Sequence, residues 1–574
     1  MGRLKKIVYP ASQYVQFTYD NNGNKLSMYD TRLNLGNETF SWQYDDLNRV
    51  TRETYPDGNY ISYTYNDSGA RATMRLPSGH TQTYNYDARE RLSSIVHSLG
   101  NRTFSYTYDA NDDTLSRISY PNNLVNDFDY DNLYRLIDIT MAHNTGLFVG
   151  YDIDYTYDDI GNRTKAVWGN SDLSATLEYT KYYTYDDLNQ LTSEKKMNKG
   201  ETTRLYEYQY QFDAVGNRTQ MDYFDGNNTK TTTYTYNDLN QLTNRIWNFM
   251  ISWDYHYDNN GNLQATEIDD NPDRIYSWNN DDRLTYVEDN SGYLVQYVYD
   301  AAGRRILRKD LDSGVWTKYY YDGLTVVAEM QSTDGGQNWS WKRIMAVGSG
   351  VTGQLFSISE YNGSSWVHEY YHYDAIGNVA CTTNASANLV SAFDQDAYGN
   401  VMTGSQDGYH LTTKEYDSQS DLYYFWQRWC VPEVGRFISK VPYPPHQENQ
   451  YGYSENNPVN YIDPSGNISI LGKVGGGVRK IGIIRIKVFG PSCLLGLGLV
   501  EASCAIYSDN YEEYNDCMCD QIENNHALRI SCGIAASPVS WFVDMEDLIS
   551  FFNDIFGEGI NFDDEECEVS GDPH

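Results

Sequence analysis

Two groups of residues have the types and spacing that hold metal ions. Cys517-x-Cys519 with His526 and Cys532 offers four ligands, the number that a structural zinc ion takes. The same stretch carries six of the eight cysteines, Cys493, Cys504, Cys517, Cys519, Cys532 and Cys567. Six thiols in about a hundred residues favour two or three disulfides in an oxidising compartment. Cys-x-Cys is a tight spacing for one ion, so disulfides are the preferred reading and zinc the alternative. The second group is Asp20-Asn21-Asn22-Gly23-Asn24, which has the look of a calcium loop of the EF-hand kind. That loop needs a bidentate carboxylate at its twelfth position, and counting from Asp20 this is Thr31. These acids therefore read as turn formers. For proton transfer, His526, Asp544 and Glu546 have no nucleophile or signature beside them. No cofactor is expected.

The turn residues belong to a repeat. One unit recurs: aromatic-x-aromatic-Asp/Asn, two residues, Gly/Asn-Asn/Arg, then an apolar residue and Thr or Ser. Tyr155-Thr156-Tyr157-Asp158-Asp159-Ile160-Gly161-Asn162-Arg163 is one copy. Tyr183-Thr184-Tyr185-Asp186-Asp187-Leu188-Asn189-Gln190-Leu191 is a variant. Asp45, Asn66, Asp87, Asp109 and Asp131 follow one another at 21, 21, 22 and 22 residues. Over the whole array the period wanders between roughly 20 and 28, as insertions in repeat loops make it do. Aromatic-x-aromatic puts both rings on one face of a strand. Asp-x-x-Gly-Asn bends the chain, and the following alternation returns as the partner strand. Each unit predicts a β-hairpin. A lone hairpin is marginal in water, so stability must come from stacking hairpins into a long, curling sheet. A β-propeller needs blades of about 40 residues and is excluded by the period.

Composition agrees. Tyrosine supplies 55 of 574 residues, and its amphipathic ring favours pleated, half-wet surfaces. The formal net charge of −36 argues against nucleic acid as a partner of the repeat region. Met1–Lys6 is basic but lacks the apolar run of a signal peptide, so a longer product or a signal-independent route of export is expected. No apolar stretch is long enough to span a bilayer.

After the array come Leu422–Ser439, containing Gln427-Arg428-Trp429 and Gly435-Arg436-Phe437, and Asn449–Gly466, ending Asn460-Tyr461-Ile462-Asp463-Pro464-Ser465-Gly466. Repeat and terminal signature together resemble the Rhs and YD-repeat proteins, including teneurins, with an Rhs-associated core domain. The resemblance covers about residues 10–466, some four fifths of the chain. It implies an all-β fold of stacked hairpins forming a curled shell, a cocoon that this length can leave incomplete. A small helical module with the six cysteines would follow. The implied divisions are 1–320 for the hairpin array, 321–415 for a looser continuation, 416–466 for the core motif and 467–574 for the variable module.

In many members of that family the core cleaves the chain just after Asp-Pro-x-Gly-Leu by aspartyl-like chemistry, using two carboxylates near an arginine. Two carboxylates sharing a proton can serve as acid and base. Asp463 and Arg428 match two of those positions. The second Asp is replaced by Val441, a further Asp by Val431, and the Leu by Asn467. Asp463 and Arg428 are thus expected to be residual autoprotease positions in a structural turn, without self-cleavage. The resemblance then implies a non-enzymatic shell, secreted or at the cell surface, that encloses or presents its own C-terminal module. The alternatives are an adhesion or carbohydrate-binding surface protein, with Trp278, Trp316, Trp339, Trp341 and Trp366 stacking on sugars, and a polymorphic toxin whose module is the effector.

Overall fold

In many repeats the acidic residue closes its own turn. The Asn24 backbone N–H and side-chain Nδ2 donate to the two carboxylate oxygens of Asp20, each at 2.8 Å. Asn162 does the same to Asp158 and Asn262 to Asp258. Where the fifth residue is arginine, Arg49 uses its N–H and Nε on Asp45 at 2.9 and 2.6 Å. Both oxygens of these carboxylates are thereby committed within the turn. The preceding position takes positive φ, +95° at Gly161 and +62° at Asn189, which is why Gly and Asn alternate there.

A computed structural model describes residues 3–33, 35–145, 149–169, 178–348, 354–405, 407–442, 449–467 and 470–471. The expected cysteine module, its helices, its disulfides or zinc ligands Cys517, Cys519, His526 and Cys532, and Asp544 and Glu546 lie outside the described residues. From Lys6–Val8 to Leu389–Ala392, 34 strands pair antiparallel, each with its sequence neighbour, in one open sheet. The described residues are all-β, as the hairpin pattern predicts.

Two features of the repeat stand out only in three dimensions. The register slips by one residue just before the turn, between Thr156 and Tyr157, Thr184 and Tyr185, and Thr235 and Tyr236. A bulge of this kind bends a strand and sharpens its twist, and repeated at hairpin after hairpin it curls the ribbon. The aromatic residue just before the turn acid also stitches repeats together. Tyr65 donates its hydroxyl to Val50 O at 2.7 Å, Tyr86 to Arg71 O at 2.9 Å and Tyr236 to Arg218 O at 2.8 Å.

The curl is a spiral that overlaps itself. Tyr55 bonds the backbone of Tyr321 through both its hydroxyl proton and its lone pair, at 3.2 and 2.8 Å. Gln82 bonds Val347 twice, Tyr120 reaches Tyr371 O, and Tyr151 reaches Tyr373 O. Partner numbers rise together, so the second lap follows the first in the same direction. Between them lies a shared core in which Phe104 stacks on Phe356 at 5.2 Å.

His372 sits in this seam with no exposed surface, its Nδ1 3.2 Å from Asn126 Oδ1 and its Nε2 2.9 Å from Thr383 Oγ1. Burial pushes its pKa down to about 3. The folded chain keeps the ring neutral while the unfolded chain takes up a proton below about pH 6.5. This contribution is therefore flat above pH 6.5 and is lost as pH falls toward 3, with a slope approaching about 1.4 kcal/mol per pH unit. His372→Gln is expected to be less stable at pH 7.5 by about 1–2 kcal/mol through the disturbed hydrogen bonds. Its stability should fall less steeply between pH 6.5 and 4.5. Urea titrations at several pH values check this, and parallel curves would refute it.

Candidate functional site

Past the sheet, the described residues of 394–467 lie against the inner face of the wall. Their own framework is a five-stranded sheet, Gly408–Tyr409, Glu415–Asp417, Leu422–Tyr424, Trp429–Val431 and Arg436–Phe437. The segment enters through a buried ion network: Lys196 pairs with Asp394 at 2.6 Å, Lys181 with Glu194 at 3.0 Å, and Ala397 N–H donates to Glu194 at 2.6 Å. Its aromatic side chains then cover the wall. Tyr398, Tyr416 and Tyr423 pack on Tyr206, Tyr208 and Tyr210, while Trp426, Trp429 and Ile438 pack on Leu263, Leu284 and Tyr297.

The polar part of the terminal signature reads successive turns of the wall. Asn460 accepts from the N–H of Arg163, and Asn456 donates to Gln190 Oε1 and Gly216 O. Arg436 donates to Asn217 Oδ1 and to Asn240 O, and Tyr451 to Gly261 O. Five consecutive hairpins are clamped by one strip of plug. Arg436, Tyr451 and Asn456 escaped the sequence reading as functional residues. The signal that could have found them is the Asn- and Tyr-rich run 449–461, facing turns rich in amide groups.

The structure brings Asp463 and Arg428 together. Arg428 Nη2 lies 3.4 Å from Asp463 Oδ2, with side chains 4% and 1% exposed. The other carboxylate oxygen accepts from the N–H groups of Ser465, Gly466 and Asn467 at 3.2, 2.7 and 3.1 Å. Arg428 also donates through Nε to Gly466 O and through Nη1 to Gln450 O, and its guanidinium lies 3.5 Å from the centre of the Phe437 ring. Gly466 has φ +82°, and a Cβ there would meet Phe425 O at 2.9 Å. The turn is thus folded around the carboxylate, and only glycine fits its last corner.

Lys414, missed in the sequence because nothing marks it, donates to Pro464 O at 2.6 Å. Burial pushes its pKa down to about 8, with Asp463 opposing. Burial also lowers Arg428 to about 10 and raises Asp463, against which Arg428 and the Gly466 N–H act. Val441 stands beside this group: its N–H donates to Gln450 O, the carbonyl that Arg428 also bonds. Its side chain offers no proton acceptor. Four donors on one carboxylate anchor the turn, and among the described residues no second acid stands beside it to share a proton.

The five tryptophans named above are half-buried. Trp278 donates to Leu263 O and Trp339 to Gly336 O, while Trp341 lies against Tyr320 and Trp366 against Tyr361. Lys309 covers Trp316.

A ribbon of aromatic hairpins wound into a spiral and plugged by its own terminal segment defines a YD-repeat shell with an Rhs-type core. The Teneurin YD-shell family profile matches residues 1–338, and the chain belongs to that family. Among relatives, a tRNA3(Ser)-specific nuclease WapA of Bacillus spizizenii is 32% identical over 49% of this chain and 12% of its own length. Teneurin-3 of Danio rerio is 24% identical over 67% of this chain and 17% of its own. The chain therefore spans less than a fifth of the length of these two relatives. The crystal structure of TcdB2-TccC3-TEV superposes with a TM-score of 0.64 at 18% identity, over 81% of this chain and 26% of that one, which shows the shared fold. Among the described residues no helix is long and apolar enough to cross a membrane.

Proposed function

We propose that the protein is a non-enzymatic shell, exported from the cell, that presents residues 467–574 outside its wall. The observation that carries this reading is the filling of the inner face. Twenty-two strand spacings separate Tyr60–Tyr65 from the overlying Trp316–Asp322. At about 4.8 Å each they make a lap about 100 Å round, some 30 Å across between backbones. On that wall Val15, Phe40 and Ile153 cluster with residues of the second lap, and Leu284 and Val295 with residues of the plug, all at 0% exposure. A folded module of a hundred residues needs comparable room of its own. Asp463 and Arg428 then serve as the structural end of the plug, from which the module departs.

Two measurements test the reading. Intact mass of the purified chain should show one species near 66 kDa; a cut close to Gly466 would overturn the assignment of Asp463 as purely structural. Brief native proteolysis should remove the module before it nicks the shell. Protection of the module until the shell unfolds would mean that it is enclosed. The similarity of the repeats to WapA nucleases favours a second reading, in which the presented module is an effector. A nuclease or other toxic activity confined to residues 467–574 would establish it.

A further inference from the structure

Between wall and plug, four neighbouring strands of the wall form the floor of a cavity of about 210 Å³. The floor is a cross-strand row, Tyr210 opposite Met221, Met221 opposite Thr232, and Thr232 opposite Trp247, flanked by Tyr208 opposite Tyr223. Tyr208 and Tyr223 stack at 4.5 Å. The roof comes from the Asp396–Asn400 turn and from Pro432–Glu433 of the plug.

The charges lining this space do not balance. Arg245 is already matched by Glu433 at 2.8 Å, on the exposed rim. Asp396 is also committed: Oδ1 accepts from Tyr398 N–H and Asn400 N–H, and Oδ2 from Asn400 Nδ2 at 2.7 Å. Arg218 is different. It is 4% exposed, lies 4.5 and 4.3 Å from the ring centres of Tyr210 and Tyr398, and its Nε makes no hydrogen bond. Burial works against its charge, and what opposes burial is the phenols of Tyr398, Tyr234 and Tyr210, with Tyr398 also hydrogen-bonding it, and no carboxylate. Ring faces return less to a desolvated cation than burying a guanidinium without a carboxylate partner costs. A ligand carboxylate in the cavity would close that gap.

We propose that this cavity binds one sugar ring bearing a carboxylate, a hexuronic-acid unit. Its carboxylate is taken by Arg218 and its apolar ring face lies on Tyr223 and Trp247. The volume is below the roughly 300–1,000 Å³ of drug-sized sites and suits a single ring. Aromatic faces are electron-rich and attract the C–H groups of a pyranose, while Thr232 and Asn400 offer polar partners for hydroxyls. This goes beyond the shell role, and its failure would leave that role untouched.

The test uses the full chain with sodium glucuronate, followed by ligand-detected NMR and calorimetry, beside glucose and acetate. Glucuronate should bind at least tenfold more tightly than either, since glucose lacks the charge and acetate the ring. Arg218→Met should weaken glucuronate at least tenfold and Trp247→Ala at least threefold, with the glucose affinity of the former unchanged. Absent glucuronate binding, equal binding of glucose or acetate, or undiminished binding in folded Arg218→Met would each overturn the proposal. Should Arg218→Met fail to fold, the half-buried Trp247→Ala decides by the same criterion.

Discussion

Asp463→Ala is expected to destabilise the plug by about 3–5 kcal/mol, the range for removing one partner of a buried ion pair. The loss has two parts. Arg428, 4% exposed, keeps its charge in a place where the plug supplies only carbonyl oxygens and a ring face. The N–H groups of Ser465, Gly466 and Asn467 lose their common acceptor, and each buried orphan costs about 1–3 kcal/mol unless it finds water. Arg428→Met alone should cost less, because the three N–H groups continue to hold the carboxylate. The double variant should be more stable than the two single losses predict, by about 1–3 kcal/mol of coupling. Urea unfolding followed by tryptophan fluorescence gives these numbers. If Asp463→Ala lies within about 1 kcal/mol of the parent, the turn is not organised around the carboxylate.

That turn also shows what a sequence can and cannot tell. Hairpins were legible because their determinants are local: Asp158 and Asn162 are four residues apart, and their bonds stay within one turn. Asp463 and Arg428 were legible only through the family resemblance, since 35 residues separate them and no periodicity links them. The overlap of the laps was not legible. Tyr55 and Tyr321 meet because bulges accumulate over more than twenty strands, and a one-residue slip is invisible in an alternating pattern. Lys414 and Arg218 were invisible for a related reason. A lone cation looks like a solvated surface residue until the fold buries it, Lys414 against Phe425 and Pro464 and Arg218 against Tyr398.

Trp429→Ala should have the second large effect, and it asks whether wall and plug are one cooperative unit. Trp429 is 2% exposed and among the largest fully buried side chains. It donates through Nε1 to Tyr299 OH at 3.0 Å and packs its ring, tilted, 4.5 Å from that of Tyr297, both on the wall. Its other neighbour, Tyr424 at 4.9 Å, belongs to the plug. Truncating a buried tryptophan costs about 3–5 kcal/mol, most of it as lost contacts around the cavity left behind. Trp429→Phe keeps a ring but orphans the Tyr299 hydroxyl, and about 1–3 kcal/mol is expected there. The site of the damage matters more than its size. In a solenoid whose repeats are stabilised only by their neighbours, loss of the plug would leave the wall standing. Here Leu263, Leu284 and Val295 are 2%, 0% and 0% exposed with the plug packed against them. Removing it would expose an apolar face that an open sheet cannot hide. The expectation is therefore a single unfolding transition, shifted as a whole in Trp429→Ala, with native protease cuts in plug and wall appearing together. Two separated transitions, or cuts in the plug alone, would show a wall that stands by itself around an optional plug.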